Sequence, residues 1–395
     1  MASICGSPVC AGGKPKMKFT YTGDYVVRKD GVVELLTSGT IVFLETLTID
    51  LFLVGGGASG SARRASATYK RGDGGGGGGY TKTVKQRDVT ANESIAVVIG
   101  EGGVGADDPR YNNSGANGGT TRFGSEFAPG GKAYAPDQGY NGGDGGSGGG
   151  GGVASKSSGG EGGTDGGNGS AGDAAGGRGQ GTTTREFGEE TGKLYAGGGG
   201  GGRYMAAVQP VVSIGGAGGG GTGAWAGDTK DAYQPAASGV ANTGGGGGGG
   251  AVGTDNLSVA NRPIGYVGAG GSGVVCFREA APLPELAGTW VMNNQIYQPE
   301  TSIKELVNFT MPGYTVASYD AKGVRIAGAP ATPASIFGIW KSTEATEQYL
   351  AVYDFYTNKW ANTKDLSPAV LTFPVGATAS NEFRAWLASN ATKQA

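Results

Sequence analysis

Acid–base and nucleophilic chemistry near neutral pH usually runs through imidazole, and this chain of 395 residues has no histidine. Its absence removes the Ser-His-Asp, Cys-His and His-metal solutions together. Adjacent carboxylates at Asp107–Asp108 and Glu189–Glu190 are the kind of pair from which a glycosidase is built. Their surroundings read as loops, where neighbouring acids are solvated. Matches to Gly-x-Gly-x-x-Gly abound, but a glycine-rich chain generates them by chance, and none opens a helix inside a βαβ unit. A phosphate loop is missing, since Gly192–Lys193 is followed by Leu194, and Arg178 and Arg203 stand alone rather than in Arg-Gly-Gly repeats. The chain is therefore read as non-enzymatic, with no catalytic residues, no cofactor and no metal site.

What remains is recognition by side chains on loops. Tyr69, Tyr111, Tyr134, Tyr140, Tyr195, Tyr204, Trp225 and Tyr233 all fall in loop-like sequence among Asn, Ser, Gly and Arg. That mixture is the one binding loops use, because rigid amphipathic rings add contact area at low entropic cost. Sugars are suitable ligands, their rings stacking on aromatic faces while Asn and Asp meet their hydroxyls. Each ring taken singly packs equally well against the edge of a scaffold.

The scaffold that must carry these loops is unusual. Of 85 glycines, 73 lie between Gly55 and Gly273. The runs Gly74–Gly79, Gly148–Gly152, Gly197–Gly202, Gly218–Gly221 and Gly244–Gly250 alternate with seven loops, 62–71, 106–117, 132–141, 182–196, 203–214, 224–243 and 251–267. Strand patterns flank the window at 18–21, 25–28, 32–37, 40–45 and 48–54, recur at 80–86 and 94–99, and return at 273–278 (GVVCFR). Leu47, Ile49, Leu51 and Leu53 share one face of a strand, while Phe52 and Val54 add apolar surface to the other, as in a strand buried on both sides. One sheet system is thus expected, with the glycine block inserted into it. Beyond the linker-like AAPLP at 280–284, strands are expected at 289–296, 314–319, 323–326, 348–355 and 369–373. A closing helix follows, N-capped by Ser380, with Phe383, Trp386 and Leu387 on one face. Four of the five tryptophans lie in this last part and supply core material.

Net charge is −2 and the isoelectric point about 5.5, so no field draws nucleic acid or an anionic membrane. Three cysteines, an odd number, imply no disulfide framework. No apolar run reaches eighteen residues and the N-terminus lacks the order of a signal peptide, so a soluble protein is expected, which if it leaves a cell does so by another route, such as lysis within a virion.

Consecutive glycine is ordinarily the composition of a slack tether, because ordering it costs more backbone entropy than ordering any other residue. Repetition of the runs inside one bounded window, with aromatic residues between them, points instead to structure. Extended helices of three residues per turn have no internal hydrogen bonds, so each N–H and C=O needs an outside partner. Where every position is glycine such helices pack side by side and bond to one another, helped by Cα–H···O contacts. Collagen fits poorly, its strict period being absent.

The residues FTYTG, SGT and IDLFLVGGGASG, then AVVIGEGG, then GAGGSGVVCFRE resemble the glycine-rich domains of phage and prophage tail proteins. Insertion of glycine helices into a sandwich also resembles the glycine-rich region of the anaplastic lymphoma kinase ectodomain. The stacked slab resembles the distal adhesins of some T-even-type phages, whose end loops bind the host receptor. NEFRAWLASNATKQ is similar to the ending of many proteins from phages of gut Firmicutes. The resemblance covers residues 18–279 well and 286–395 more loosely. It departs from the T-even adhesins in carrying sandwich strands on both sides of the block and an extra C-terminal domain.

The fold expected is mainly β: a jelly-roll-like β-sandwich with an inserted polyglycine-II helix bundle at about 55–273, plus a C-terminal β-rich domain ending in one α-helix. Its parts are an N-terminal arm at 1–17, the sandwich with its insert at 18–279, a linker at 280–285 and the C-terminal domain at 286–395. The function implied is that of a tail-associated adhesin that recognises a bacterial surface glycan or protein, with a decoration or spacer protein of the virion as the alternative. Partners expected are a host receptor and other virion proteins, with no nucleic acid and no membrane insertion; a homotrimer, common for tail fibres, and a monomer both stay open.

Overall fold

The computed structural model describes residues 17–62, 71–105, 115–134, 141–152, 167–170, 183–204, 213–229, 232–253, 264–285 and 287–292, and further on 303–308, 318–319, 325–327, 335–342, 348–354, 359–361, 370–373, 384, 388 and 391–394. The chain is mainly β and divides into two units, 1–280 and 281–395.

In the first unit the strands are β1 (Phe19–Tyr21), β2 (Tyr25–Val27), β3 (Val33–Leu35), β4 (Gly39–Phe43), β5 (Leu47–Val54), β6 (Arg71–Gly72), β7 (Thr81–Val89), β8 (Ser94–Val98), β9 (Thr121–Phe123), β10 (Glu126–Ala128), β11 (Arg203–Tyr204), β12 (Trp225–Ala226), β13 (Tyr233–Gln234), β14 (Ala251–Val252), β15 (Ile264–Gly265) and β16 (Val274–Glu279). Two antiparallel five-stranded sheets form its body, ordered β1-β4-β8-β9-β10 and β2-β3-β16-β5-β7. They share one apolar core. Ile41, Phe43, Ile95, Val97 and Phe123 come from the first sheet, and Val33, Leu35, Ile49, Leu51, Leu53, Val275 and Phe277 from the second.

Strand β16 arrives after the whole glycine window and pairs with both β3 and β5, Val275 opposite Leu35 on one side and Leu53 on the other. The window therefore begins and ends in one sheet. It is not a single insert, however. Within it the chain returns to the body to add β9 and β10, each three residues long and too short to show a period.

Between these returns the glycine runs bond to one another with a three-residue period. In the run 73–80, the N–H groups of Asp73, Gly76 and Gly79 donate to the carbonyls of Gly250, Gly247 and Gly244, those of Gly75 and Gly78 to Gly150 and Ser147, and those of Gly77 and Tyr80 to Lys132 and Pro129. The run 55–61 repeats the rule: Gly55, Ala58 and Ser61 donate to Tyr80, Gly77 and Gly74, Gly56 and Ser59 to Gly119 and Ala116, and Gly57 and Gly60 to Gly271 and Gly268. Backbones approach so closely that a Cβ on Gly76 would stand 2.2 Å from the Ala58 carbonyl oxygen, and one on Gly199 2.0 Å from that of Gly247.

The second unit holds β17 (Gly288–Met292), β18 (Ile303–Asn308), β19 (Ser318–Tyr319), β20 (Arg325–Ala327), β21 (Ser335–Ser342), β22 (Gln348–Asp354), β23 (Lys359–Ala361), β24 (Val370–Phe373) and β25 (Ala391–Lys393). They pair as β24-β17-β25, β18-β21-β22-β23 and β19-β20. Arg384 donates to the Leu283 and Pro284 carbonyls and Lys393 to that of Glu285, so 283–285 is tied into this unit. Of the expected closing helix, Ser380, Phe383, Trp386 and Leu387 lie outside the described residues, as does most of the arm 1–17.

Two substitutions separate close approach from backbone conformation. Gly199→Ala should cost about 2 kcal/mol or more, since the new Cβ must push two backbones apart. Gly31→Ala should cost only about 1 kcal/mol, for its positive φ of 85° alone, because nothing lies within 4 Å of its Cβ position. Thermal unfolding of the two variants measures the difference.

Candidate functional site

The charges on the sheet β2-β3-β16-β5-β7 mark the first place where side chains could do chemistry. Asp50 sits in LTIDLFLV and Arg278 in VVCFRE, both on strands otherwise apolar. A buried charge needs a partner. Asp50 is met by Arg278 and by Lys85 of β7, and Glu189 completes the set from residues 183–196, which fold back as a hairpin bridged between Arg185 and Leu194 and close over the outer face of this sheet.

Phe187 and Tyr195 plug that face against Phe52, with ring centroids 6.2 and 5.4 Å away, and Val32, Val54, Val274 and Cys276 complete the cluster. The two-sided burial expected for β5 is thus observed, with the hairpin as cover. Phe187 adopts φ 54° and ψ 18°, a left-handed conformation costly for a bulky residue.

Two ionic networks pin the hairpin. Arg28 grips both oxygens of Glu186 at 2.7 Å and reaches Glu34 at 3.1 Å, while Lys193 meets Glu34 at 3.2 Å. The Tyr195 hydroxyl donates to Glu186 at 3.1 Å and lies 3.6 Å from the Cys276 sulfur. On the other side of the plug Arg278 and Lys85 both hold Asp50 and Glu189, with Arg278 stacked over the Phe187 ring at 4.3 Å.

Burial works against the Arg28 charge, yet hydrogen bonds to Asp30 and Glu186 hold its pKa above the ordinary value. Burial, then the nearby Glu186 and Glu34 charges, pushes the Cys276 thiol well up, and Tyr195 is raised for similar reasons. The hydrogen bond from Arg278 holds Glu189 below the usual 4.5.

Glu34, Glu186 and Cys276 bring three potential metal-ligand atoms within 4.8 Å of one another. The set suits zinc in kind. Its chemistry does not fit the surroundings: both Glu186 oxygens are held by Arg28, Glu34 is shared by two cations, and the thiol is biased towards its neutral form. A metal would have to displace a bidentate guanidinium pair, among the stronger contacts available to a carboxylate. The cluster is a lock, not a ligand set. The same holds for the pair Glu189–Glu190, whose first member is engaged by Arg278 and Lys85; Asp107–Asp108 lies outside the described residues.

The second place is the end of the glycine runs away from the two-sheet body. Runs leave the body at Gly55, Tyr80, Gly100 and Gly273, next to β5, β7, β8 and β16, and reach their other end at Ser61, Gly74, Gly202 and Gly250. There they widen into two three-stranded ribbons, β11-β12-β13 and β15-β14-β6. Arg71, Asn141, Tyr204 and Val252 stand at this end, while segments 63–70, 135–140, 153–166, 205–212 and 254–263 lie outside the described residues.

The expected recognition residues divide accordingly. Tyr69, Tyr111 and Tyr140 lie outside the described residues. Tyr204 stands on β11 with its hydroxyl donating to Asp228 at 2.6 Å. Tyr233, on β13, is 45% exposed, and Tyr134 is half-buried. Trp225, the middle residue of its ribbon, is buried at 3% exposure rather than presented. Tyr195 is a correction: it is fully buried beside the body, because the 182–196 segment is needed to cover an apolar sheet face. Tyr266, 43% exposed just after β15, was missed, its ring being hidden in a long loop without a periodic neighbour.

A family profile described as the glycine-rich domain matches residues 37–280. The chain belongs to the glycine-rich domain family. The match starts before β4 and ends at the last residue of the first unit, so it takes in the returns to the body as well as the runs. A search of curated proteins finds no match to the chain. No helix among the described residues is long and apolar enough to cross a membrane.

Because its folded pKa is depressed, Glu189 contributes stability above about pH 4.5 that is lost as pH falls through its folded value. The protection of amides in 183–196, taken relative to their intrinsic exchange rates, should therefore fall below about pH 4 while β5 and β16 stay protected. Arg278→Met should produce the same opening at neutral pH, because it strips Asp50 and Glu189 of one of the two cations they share and leaves Lys85 alone between them; unchanged exchange in both experiments would leave the ionic lock without a role.

Proposed function

We propose that this protein is a tail-associated adhesin of a bacteriophage or prophage, non-enzymatic, which recognises a bacterial surface through side chains at the far end of its glycine runs. The fold beneath it is read as a jelly-roll-like sandwich carrying a polyglycine-II bundle. Support for the bundle is the three-residue period of the bonds between runs, since an extended helix with three residues per turn directs successive N–H groups to three different neighbours.

The observation that carries the functional reading is convergence. The lattice has almost no side chains of its own, and described residues near in sequence to Tyr69, Tyr140 and the segment after Tyr204, namely Arg71, Asn141 and Tyr204, stand at the end of it away from the body. Tyr204, Asp228, Tyr233 and Tyr266 stand there already placed. A hydrogen-bonded lattice with aromatic and polar groups gathered at one end suits a glycan or an outer surface protein. Other virion proteins would hold the opposite part of the chain, and the protein would reach the exterior as part of the particle.

Purified protein should bind host cells, and shortening 63–70 and 205–212 together with Tyr233→Ala should weaken binding roughly tenfold or more. Equal binding by that variant would refute a tip site. Electron microscopy of labelled particles supplies the other arm, since copies on the capsid face, away from the tail, would favour a decoration or spacer protein.

A further inference from the structure

Five non-glycine residues among those described have a left-handed backbone. Two of them, Asn92 and Asn242, are asparagines, a residue type that takes this conformation readily. The other three are Gln86, Phe187 and Ala196, at φ 56°, 54° and 56°, and for them it is a strain. All three belong to the hairpin 183–196 or to the groups that hold it.

Each strained residue follows from how the hairpin is closed. Phe187 and Gly188 are the central residues of the turn Glu186–Glu189, in which the Glu189 N–H donates to the Glu186 carbonyl at 3.2 Å, and both have positive φ. Turns of that kind are ordinarily made by Asn and Gly. Here a phenylalanine takes the place, and its ring plugs the sheet against Phe52. Ala196, fully buried, ends the hairpin and turns the chain into the run 197–202, its N–H held by the Thr243 carbonyl at 2.8 Å. Gln86 lies in a bulge of β7, where Lys85 and Gln86 together oppose Asp50. The Gln86 N–H donates to Asp50, and the bulge sets Lys85 between Asp50 and Glu189.

Closure of the hairpin is therefore opposed. In its favour are the burial of Phe187 and Tyr195 and the two ionic networks. Against it is the backbone of Phe187 and Ala196, which relaxes once the segment lifts. The Gln86 bulge is fixed by pairing on both sides of it and persists in either state. The sheet beneath does not use the hairpin for its own pairing, since β16 bonds to β3 and β5, and β5 to β7.

We infer that residues 183–196 form a strap under backbone tension, which lifts from the sheet as a unit while the two-sheet body stays folded. Lifting brings Phe52, Val54, Val274 and Cys276 to water. It also frees the start of the run 197–202, which leads to Arg203 and Tyr204. The strap is a conformational device of the body and operates whether or not the far end binds a receptor.

Cys276 reports the opening, being 0% exposed beneath the hairpin and 3.6 Å from the Tyr195 hydroxyl. In the full chain carrying Cys5→Ser and Cys10→Ser, a small maleimide should label Cys276 at a rate that low concentrations of urea leave unchanged, while the amides of β5 and β16 stay protected. Ala196→Gly removes the left-handed penalty and leaves the ion pairs and rings in place. It should slow the labelling about threefold, the greater freedom of glycine in the open state offsetting part of the effect. A segment with ordinary backbone responds in the opposite sense, because glycine loosens it. Faster or unchanged labelling in Ala196→Gly overturns the inference. So does labelling of Cys276 that begins only as β5 and β16 lose protection, a result that the chain without the Ala196 substitution supplies on its own.

Discussion

The first unit depends on a single spatial constraint: between neighbouring glycine runs there is no room for a Cβ. Oxygen atoms of one backbone occupy the place where the next residue's side chain would stand, at about 2 Å from the Cβ position in run after run. Only at that spacing can N–H groups on each run reach carbonyls on its neighbours. Ordering glycine costs roughly 0.5–1 kcal/mol more per residue than ordering alanine, and a hydrogen bond returns a net of about 1 kcal/mol. The balance per residue is close, so the arrangement holds only if nearly every inner donor is met. A single misplaced methyl is felt by both backbones it separates, which makes the lattice cooperative in a way a loop is not.

A lattice of identical backbones has no register of its own, because every glycine is interchangeable with the next. The two-sheet body supplies it. Val54, Val98 and Val274 end or begin strands whose pairing fixes where the following or preceding run starts. The hairpin 183–196 does the same for the run 196–202, whose neighbours include 73–76, 218–221 and 243. Buried ion pairs contribute little net stability but strongly disfavour misaligned alternatives, in which a charge is left alone. Arg28 with the buried Glu186 therefore acts as a register pin for a segment that leads into featureless sequence.

The body strands were legible because alternation in LTIDLFLV, and a short apolar run in VVCFRE, are direct consequences of burial. The return of β16 to the sheet of β5 was legible from the same patterns. Strands β9 and β10 were not, for three residues carry no period, and β18 and β21 of the second unit also escaped notice. The hairpin was misread as a binding loop because Glu186, Phe187, Glu189 and Tyr195 look like loop chemistry until the opposing charges are known. Asp50 was the available clue: a carboxylate in the middle of a strand buried on both faces demands a cation and a cover, and both exist.

The lattice also divides what the first unit can do between its ends. Its inner surface is peptide alone, with the same donor and acceptor at each step, so it cannot discriminate one ligand from another. Titratable groups are gathered beside the body, where Arg28, Lys85, Arg278 and their carboxylates are already spent on one another. Selectivity has to come from places where side chains resume and are not needed to hold the fold. The far end meets both conditions: Tyr233 and Tyr266 stand open to solvent there, while covering an apolar sheet face, the task that consumed Tyr195, does not arise. The proposed placement of recognition at that end rests on this division, since every other part of the unit either lacks chemical variety or has used it to set the register.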